Sequence, residues 1–211
     1  MAVYLLEKTE HYQLGIWKLE EDEEALLLLS RLPERPTHTN QVRRMEYMAV
    51  RAMASEMGIQ ATDIAYLPSG KPYLTKSKCS ISISHTKNYV AVMISSHELI
   101  GVDLEHRSER IRKIRHKFMH PDEENSLKQA SKPMDETVAL LLHWCAKEAL
   151  FKSVPEERVD FAQELRISNF AFLELSGCFT GHFLRTDRHF NIDYLIQPDF
   201  VLTCSFSAKS K

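Results

Sequence analysis

Two acidic residues separated by one apolar residue, Asp103 and Glu105, end a strand-like stretch of the sequence. In an extended backbone, side chains two positions apart point to the same face, so these carboxylates would lie side by side while Val102 and Leu104 point into the core. Carboxylates held this close repel each other unless a cation lies between them, and their oxygen atoms suit Mg²⁺. Alone, the pair is a weak signal, because most such pairs form the solvent face of an edge strand.

A second stretch, residues 143–152, contains good helix formers and neither Gly nor Pro, and it therefore predicts a helix. Glu148 and Lys152 are four residues apart and share a helix face. An isolated pair of this kind is usually a surface ion pair that contributes little to stability. Here the pair is flanked by aromatic residues and preceded by an apolar run, which indicates a largely buried helix. A metal ion and a phosphate would explain a buried acid and a buried lysine.

Together the two stretches resemble the signature of the 4'-phosphopantetheinyl transferase superfamily, in its surfactin-synthetase-activating type. That signature is (I/V)-G-(I/V)-D-(I/V/L)-E, followed further along the chain by W-x-x-K-E-(A/S)-x-x-K. This chain has I-G-V-D-L-E at residues 100–105 and W-C-A-K-E-A-L-F-K at residues 144–152. The resemblance implies that Asp103, Glu105 and Glu148 bind Mg²⁺ and that Lys152 contacts the pyrophosphate of coenzyme A.

The resemblance also implies contacts to coenzyme A from earlier in the chain. Basic residues of a helix predicted over residues 41–57 would meet the 3'-phosphate, although a solvated basic face is the usual reading of such residues. A Gly-Lys-Pro turn would bring its lysine to the nucleotide, and a serine and a histidine at the end of an alternating strand would contact the phosphates. The candidate coenzyme A contacts are Arg43, Arg44, Arg51, Lys71, Ser84 and His85.

The segment from Phe118 to Glu123 matches the family pattern F-x-x-x-x-E. The resemblance implies that Glu123, or a metal-bound water held by Glu105, accepts the proton of the acceptor serine. The alternative is structural, since an acid in the first turn of a helix interacts favourably with the helix dipole. The catalytic candidates are therefore Glu123, Lys152 and Glu105.

A basic segment, residues 107–117, contains six Arg or Lys residues in a chain whose net charge is −2. It could be the face of a solvated helix, or it could attract an acidic partner, because local charge steers association. Acyl and peptidyl carrier proteins are acidic and fit the second interpretation. Nucleic acid fits less well, since the segment is short and no aromatic platform accompanies it.

The composition indicates a soluble globular protein, with 44% hydrophobic and 27% charged residues among 211. Only six glycines are present and no Gly-rich phosphate loop occurs, so a phosphate site must rely on side chains and metal. Four widely spaced cysteines argue against a disulfide framework or a zinc site and favour a reducing compartment. No signal-peptide pattern or membrane-spanning run is evident, so we expect a cytoplasmic protein without membrane contact.

We expect an α+β fold. The resemblance implies two similar α/β halves related by a pseudo-two-fold axis, with the active site between them. Residues 1–99 would form the N-terminal half with the basic coenzyme A contacts, and residues 100–211 the half with the acidic metal ligands. A polar linker is predicted over residues 129–136, and C-terminal strands over residues 167–175, 179–184, 190–196 and 200–206.

The function implied by the resemblance is Mg²⁺-dependent transfer of 4'-phosphopantetheine from coenzyme A to a serine of a carrier protein, which is holo-[acyl-carrier-protein] synthase activity. The type that the chain resembles is usually monomeric. One alternative is a Mg²⁺-dependent hydrolase of a nucleotide pyrophosphate, which would use the same acids without a protein acceptor. Another is a carrier-protein binder without catalytic activity. The sequence leaves open which carrier protein is served and whether Mg²⁺ or Mn²⁺ is preferred.

Overall fold

The structure is a computed structural model that describes residues 3–129, 135–168 and 175–208. It contains helices and antiparallel sheets, which confirms the predicted α+β class. The chain divides into two compact units between Glu98 and Leu99. Among the described residues, no helix is both long enough and apolar enough to cross a membrane.

The helices are α1 (Glu23–Ser30), α2 (Gln41–Glu56), α3 (Ile111–Ile114), α4 (Pro121–Gln129) and α5 (Glu136–Ser153). The strands are β1 (Val3–Lys8), β2 (Gln13–Lys18), β3 (Ile64–Tyr66), β4 (Pro72–Leu74), β5 (Ser80–Thr86), β6 (Tyr89–Ser95), β7 (Ile100–His106), β8 (Leu165–Ser168), β9 (Ser176–Phe183), β10 (Arg188–Ile196) and β11 (Phe200–Ser207).

The first unit contains a four-stranded antiparallel sheet in the order β1-β2-β6-β5, and β3 and β4 form a separate hairpin. Helix α2 packs against β2 and β6. It begins where predicted, because the side chain of Asn40 accepts the backbone N–H of Arg43 and so satisfies one of the free donors at the helix start. The core is closed by apolar side chains of the helix and the sheet, among them Trp17, Met48, Met53, Val90 and Val92.

The second unit contains a five-stranded antiparallel sheet in the order β7-β11-β10-β9-β8. The long helix α5 packs against β7 and β11 and supplies much of the apolar core. The side chain of Asp135 caps its start by accepting the N–H groups of Thr137 and Val138. As predicted, most of the helix is buried.

The predicted C-terminal strands over residues 179–184, 190–196 and 200–206 are confirmed, with small differences at their ends. The first of the set, predicted over residues 167–175, lies partly outside the described residues, and β8 accounts for its beginning. Residues 130–134 of the predicted polar linker also lie outside them.

Helix α5 crosses β7 at Gly101, closer than any other residue would permit. A Cβ atom at this position would lie 1.9 Å from the carbonyl oxygen of Ala149 and 2.8 Å from the hydroxyl of Ser153. The obstacle is backbone, which cannot move aside as a flexible side chain can. Because side chains alternate along a strand, the side chains of Asp103 and Glu105 lie on the same face as this contact and point towards α5.

We predict that Gly101→Ala destabilises the protein by about 3 kcal/mol, in the upper range for inserting a methyl group into a packed region. Gly15→Ala is the matched control. Gly15 is also a strand glycine, but the nearest atoms to its added Cβ would be those of the Met53 side chain, at 2.7–2.8 Å, and this side chain is flexible. Urea unfolding followed by circular dichroism measures both changes. Equal, small losses in the two variants would contradict the close contact.

Candidate active site

The two acids of β7 are held in different ways. Asp103 is 4% exposed, and its Oδ1 accepts a hydrogen bond from Lys152 Nζ at 2.7 Å. The same ammonium group donates to the carbonyl oxygen of Val102 at 3.0 Å. Glu105 is partly buried, and its Oε1 accepts from the indole Nε1–H of Trp144 at 2.8 Å. Each β7 carboxylate is therefore positioned by a side chain of α5.

Trp144 was not assigned a role from the sequence, although the family motif includes it. Its ring also packs edge-on against Phe118 and at a tilt against Phe161, with centroid distances of 5.3 and 5.6 Å. An indole fixed in this way has one donor and no acceptor, and it directs that donor at Glu105. Trp144 therefore fixes the direction of the Glu105 carboxylate.

The third acid, Glu148, shares the electrostatic environment of the other two. Burial raises its pKa from the ordinary value of 4.5 to about 7, and the charge of Asp103 adds to this effect while Lys152 opposes it. Burial likewise raises the pKa of Glu105 to about 7, with Asp103 again adding to the shift. The pKa of Lys152 is raised because Asp103 and Glu148 outweigh the opposing effect of burial. The acids of β7 and α5 therefore destabilise one another's charge.

The three carboxylates do not form a compact set of ligands. Across residues 3–129, 135–168 and 175–208, a group of three with ligand atoms all within 4.8 Å occurs at another place, in the β9–β10 hairpin. A metal ion bound by Asp103, Glu105 and Glu148 together would therefore require their side chains to rotate. Their assignment as ligands stays a prediction.

Glu123 is 5% exposed and lies in the first turn of α4. Its carboxylate accepts hydrogen bonds from the backbone N–H groups of His120 and Ile167, at 2.9 and 2.8 Å. It also forms an ion pair at 2.6 Å with Lys147 Nζ, a lysine that is fully buried in α5. Lys147 donates further to the carbonyl oxygens of Phe118 and Phe161. This network connects α4, α5 and β8.

Lys147 is a residue that the sequence reasoning missed. It belongs to the family motif and falls on the buried helix face at the spacing of Leu140, His143 and Leu150, which was the available signal. Burial lowers its pKa, and the neighbouring Glu123 opposes that shift. A buried ammonium group needs its full set of partners. The structure supplies three acceptors, one of them charged.

Two of the predicted coenzyme A contacts come together in the first unit. The guanidinium of Arg43 lies in hydrogen-bond contact with the ring of His85, and both groups face Glu46, whose Oε2 is 3.0 Å from Arg43 Nη1 and 3.2 Å from His85 Nε2. The Arg43 side chain is 60% exposed. Ser84 is buried in β5 next to His85, and Lys71 is half-buried in the turn before β4.

The other two arginines of α2 have partners inside the first unit. Arg44 forms a paired contact with Glu23 and donates to the carbonyl oxygens of His38 and Thr39, so it joins α2 to α1. Arg51 is 1% exposed and stacks on the ring of Tyr47, with 3.2 Å between the guanidinium carbon and the ring centroid.

The basic side chains of residues 107–117 fall into two groups, those in ion pairs and those exposed to solvent. Arg115 pairs with Glu124 and Glu136, and Arg112 pairs with Glu109 and Glu136. Four other basic side chains of the segment are exposed, and within the described part of the chain no ion pair involves them. They are Arg107, Arg110, Lys113 and Lys117.

The sequence profile of the 4'-phosphopantetheinyl transferase superfamily matches residues 99–205, just over half of the chain. The match begins at the start of the second unit and covers β7, α5 and the acids described above. The chain therefore belongs to the 4'-phosphopantetheinyl transferase superfamily. In general terms it is a transferase of the phosphopantetheine group. Comparison with curated protein sequences finds no match.

We predict that Trp144→Phe, which keeps an aromatic ring but removes the donor, raises the pKa of Glu105 further above 7, because the indole hydrogen bond currently lowers it. A side-chain carboxyl titration by NMR measures the shift. Loss of an orienting partner of this kind is also expected to weaken binding of a divalent ion about 10- to 100-fold. Phe161→Leu changes the packing around Trp144 without removing the donor, and it should leave the pKa of Glu105 unchanged.

Proposed function

We propose that this chain transfers the 4'-phosphopantetheine group from coenzyme A to a serine of an acyl or peptidyl carrier protein, in a Mg²⁺-dependent reaction of the surfactin-synthetase-activating type. The proposal rests on the electrostatic coupling of four residues inside the segment that matches the family, whose charges shift one another's pKa values. They are Asp103, Glu105, Glu148 and Lys152. Four free cysteines fit a cytoplasmic location.

The donor set suits Mg²⁺. All three acids offer carboxylate oxygens. Burial, with a smaller contribution from the charge of Asp103, raises the pKa values of Glu105 and Glu148, and a divalent cation would stabilise their charged forms. Asp103, Glu105 and Glu148 would hold the ion after their side chains rotate. When bound, Mg²⁺ would neutralise charge on the pyrophosphate of coenzyme A.

The residues of the chain have separate tasks in this proposal. Lys152 stays protonated, since its pKa is raised. Its ammonium group, which donates to Asp103 and Val102 in the structure, is proposed to contact the pyrophosphate when coenzyme A binds. Trp144 keeps the Glu105 carboxylate in place. Phosphoryl transfer depends mainly on alignment and charge stabilisation, which these groups provide.

Glu123 has a positioning role in this proposal and is not the base. Three donors already occupy its buried carboxylate, so accepting a proton from a serine would break the ion pair with Lys147. Of the two routes that the resemblance offered for the serine proton, the one through Glu105 is the route that we propose.

At the nucleotide end of coenzyme A, we propose contacts from Arg43, His85 and Lys71. Arg43 is exposed and donates to Nε2 of His85, so its guanidinium supplies the positive charge and the imidazole is held beside it. Arg44 and Arg51 are proposed to support α2, because their guanidinium groups are engaged by Glu23 and by Tyr47.

The exposed part of the basic segment is proposed to attract the acidic carrier protein. Arg110, Lys113 and Lys117 have their charges directed to solvent, whereas Arg112 and Arg115 are neutralised by glutamates from α4 and α5. Only the first set can contribute strongly to long-range attraction.

The decisive experiment incubates the protein with coenzyme A, Mg²⁺ and an apo carrier protein and weighs the carrier by mass spectrometry. We expect a gain of one phosphopantetheine group. Asp103→Asn and Glu148→Gln should each reduce the rate about 100-fold or more. Cleavage of coenzyme A without a carrier would favour the hydrolase, and carrier binding without either reaction would favour the non-catalytic binder.

Thermal unfolding tests the metal site without an activity assay. Between pH 4.5 and about 7 the folded chain retains a proton on Glu148 that the unfolded chain has released, so this residue lowers stability as the pH rises. We expect Glu148→Gln to stabilise the metal-free protein more at about pH 8 than at about pH 5, and to abolish the rise in Tm on adding Mg²⁺. A variant that responds to Mg²⁺ like the native protein would contradict the ligand assignment.

Charge reversal tests carrier docking. We expect Arg110→Glu with Lys113→Glu to lower kcat/KM for the carrier about tenfold or more at low ionic strength and much less at high ionic strength, because the effect acts on association. Lys8→Glu with Lys78→Glu, two exposed reversals in the first unit, serves as the matched control. An equal effect from the control would mean that overall charge, not this surface, governs the rate.

A further inference from the structure

The β9–β10 hairpin brings together two histidines and an aspartate that play no part in the proposed transfer reaction. His182 and His189 are direct cross-strand partners, and Asp187 lies in the connection between the strands. Their ligand atoms all lie within 4.8 Å of one another. We propose that His182, Asp187 and His189 form a binding site for a transition-metal ion of the Zn²⁺ class.

The register of the hairpin creates this arrangement. Phe183 and Phe190, the neighbours of the two histidines, are fully buried in the core. Because side chains alternate along a strand, His182 and His189 project from the opposite, outer face. Directly opposed residues of an antiparallel pair have Cβ atoms about 5 Å apart, which lets two imidazole rings bind the same ion. Their rings are stacked, with centroids 4.1 Å apart and 13° between planes.

Asp187 supplies the third donor because its backbone turns sharply. It adopts the left-handed conformation, with φ of 53°, after the 3₁₀ turn of residues 184–186. A carboxylate oxygen of Asp187 lies 2.7 Å from Nε2 of His182 and 3.8 Å from Nε2 of His189. The Nε2 atoms of both histidines therefore lie near the same oxygen atom, Oδ1 of Asp187.

These distances suit a tetrahedral ion once the two stacked rings rotate so that both Nε2 lone pairs point at it. With metal–ligand bonds of 2.0–2.1 Å, neighbouring donors of a tetrahedral site lie about 3.3 Å apart. The two measured separations fall on either side of that value. A donor set of two neutral imidazoles and a carboxylate binds Zn²⁺, Cu²⁺ and Ni²⁺ more strongly than it binds Mg²⁺. Three protein ligands leave a further position open to water.

Neighbouring cations do not compete for the carboxylate. Arg185 is engaged by Glu164 through two hydrogen bonds, at 2.5 and 2.6 Å, and Arg188 lies 3.7 Å from Glu156. The exposed fractions of the Asp187 and His189 side chains, 85% and 55%, give an ion from solution direct access. The spacing of the cysteines argued against a zinc site, but this site contains no cysteine. The cross-strand pairing that creates it cannot be read from the sequence alone.

Calorimetric titration of the full chain, without an affinity tag and in excess Mg²⁺, tests the proposal with Zn²⁺ itself. We expect one ion per chain. His182→Gln and His189→Gln should each weaken binding about 10- to 100-fold or more, at least as much as losing an outer-shell partner would. The same titration with Co²⁺ should produce the visible absorption of a low-coordinate ion.

Matched controls separate this site from others. His97→Gln alters a histidine of the first unit that faces His11, Cys178→Ser removes the exposed thiol of β9, and Glu148→Gln alters the proposed Mg²⁺ site. All three variants should bind Zn²⁺ as the native chain does. Binding unaffected by both hairpin variants, or no binding at millimolar Zn²⁺, would overturn the proposal. Neither result depends on whether the chain is an active transferase.

Discussion

The close contact between α5 and β7 at Gly101 is the constraint on which the arrangement of the acids depends. With no side chain at this position, the carbonyl oxygen of Ala149 can approach the strand backbone. The approach brings the face of α5 that carries Glu148 and Lys152 over the face of β7 that carries Asp103 and Glu105. A wider spacing would interrupt the Lys152–Asp103 and Trp144–Glu105 hydrogen bonds.

Such an arrangement costs free energy, because burial of carboxylates near one another opposes their ionisation. The structure offsets part of the cost through Lys152, whose ammonium group neutralises Asp103. A second buried ion pair, Glu123–Lys147, is satisfied by several backbone groups and holds α4 and β8 against the same helix. Helix α5 thus carries two lysines with different tasks: Lys147 lies deep in the packing and Lys152 lies among the acids.

Much of this could be predicted from sequence, because alternation along β7 and the four-residue spacing on α5 directly determine which side chains share a face. The partner of a charged side chain could not be predicted in the same way. Arg115 pairs with Glu124 and Glu136, residues that only the packed fold brings to it. Lys147 and Glu148 are adjacent in sequence but point about 100° apart around the helix axis, and only the packed fold shows which groups each of them meets. The imidazole pair of the β9–β10 hairpin likewise depends on the strand register.

The indole of Trp144 gives the protein an intrinsic optical reporter. The chain contains two tryptophans, and the other, Trp17, is almost completely buried in the core of the first unit. Both indoles donate to a carboxylate, Trp17 to Glu21 at 3.2 Å and Trp144 to Glu105 at 2.8 Å, and burial raises the pKa of Glu105 to about 7. The emission of Trp144 should therefore follow ionisation and ligation of the carboxylate beside it.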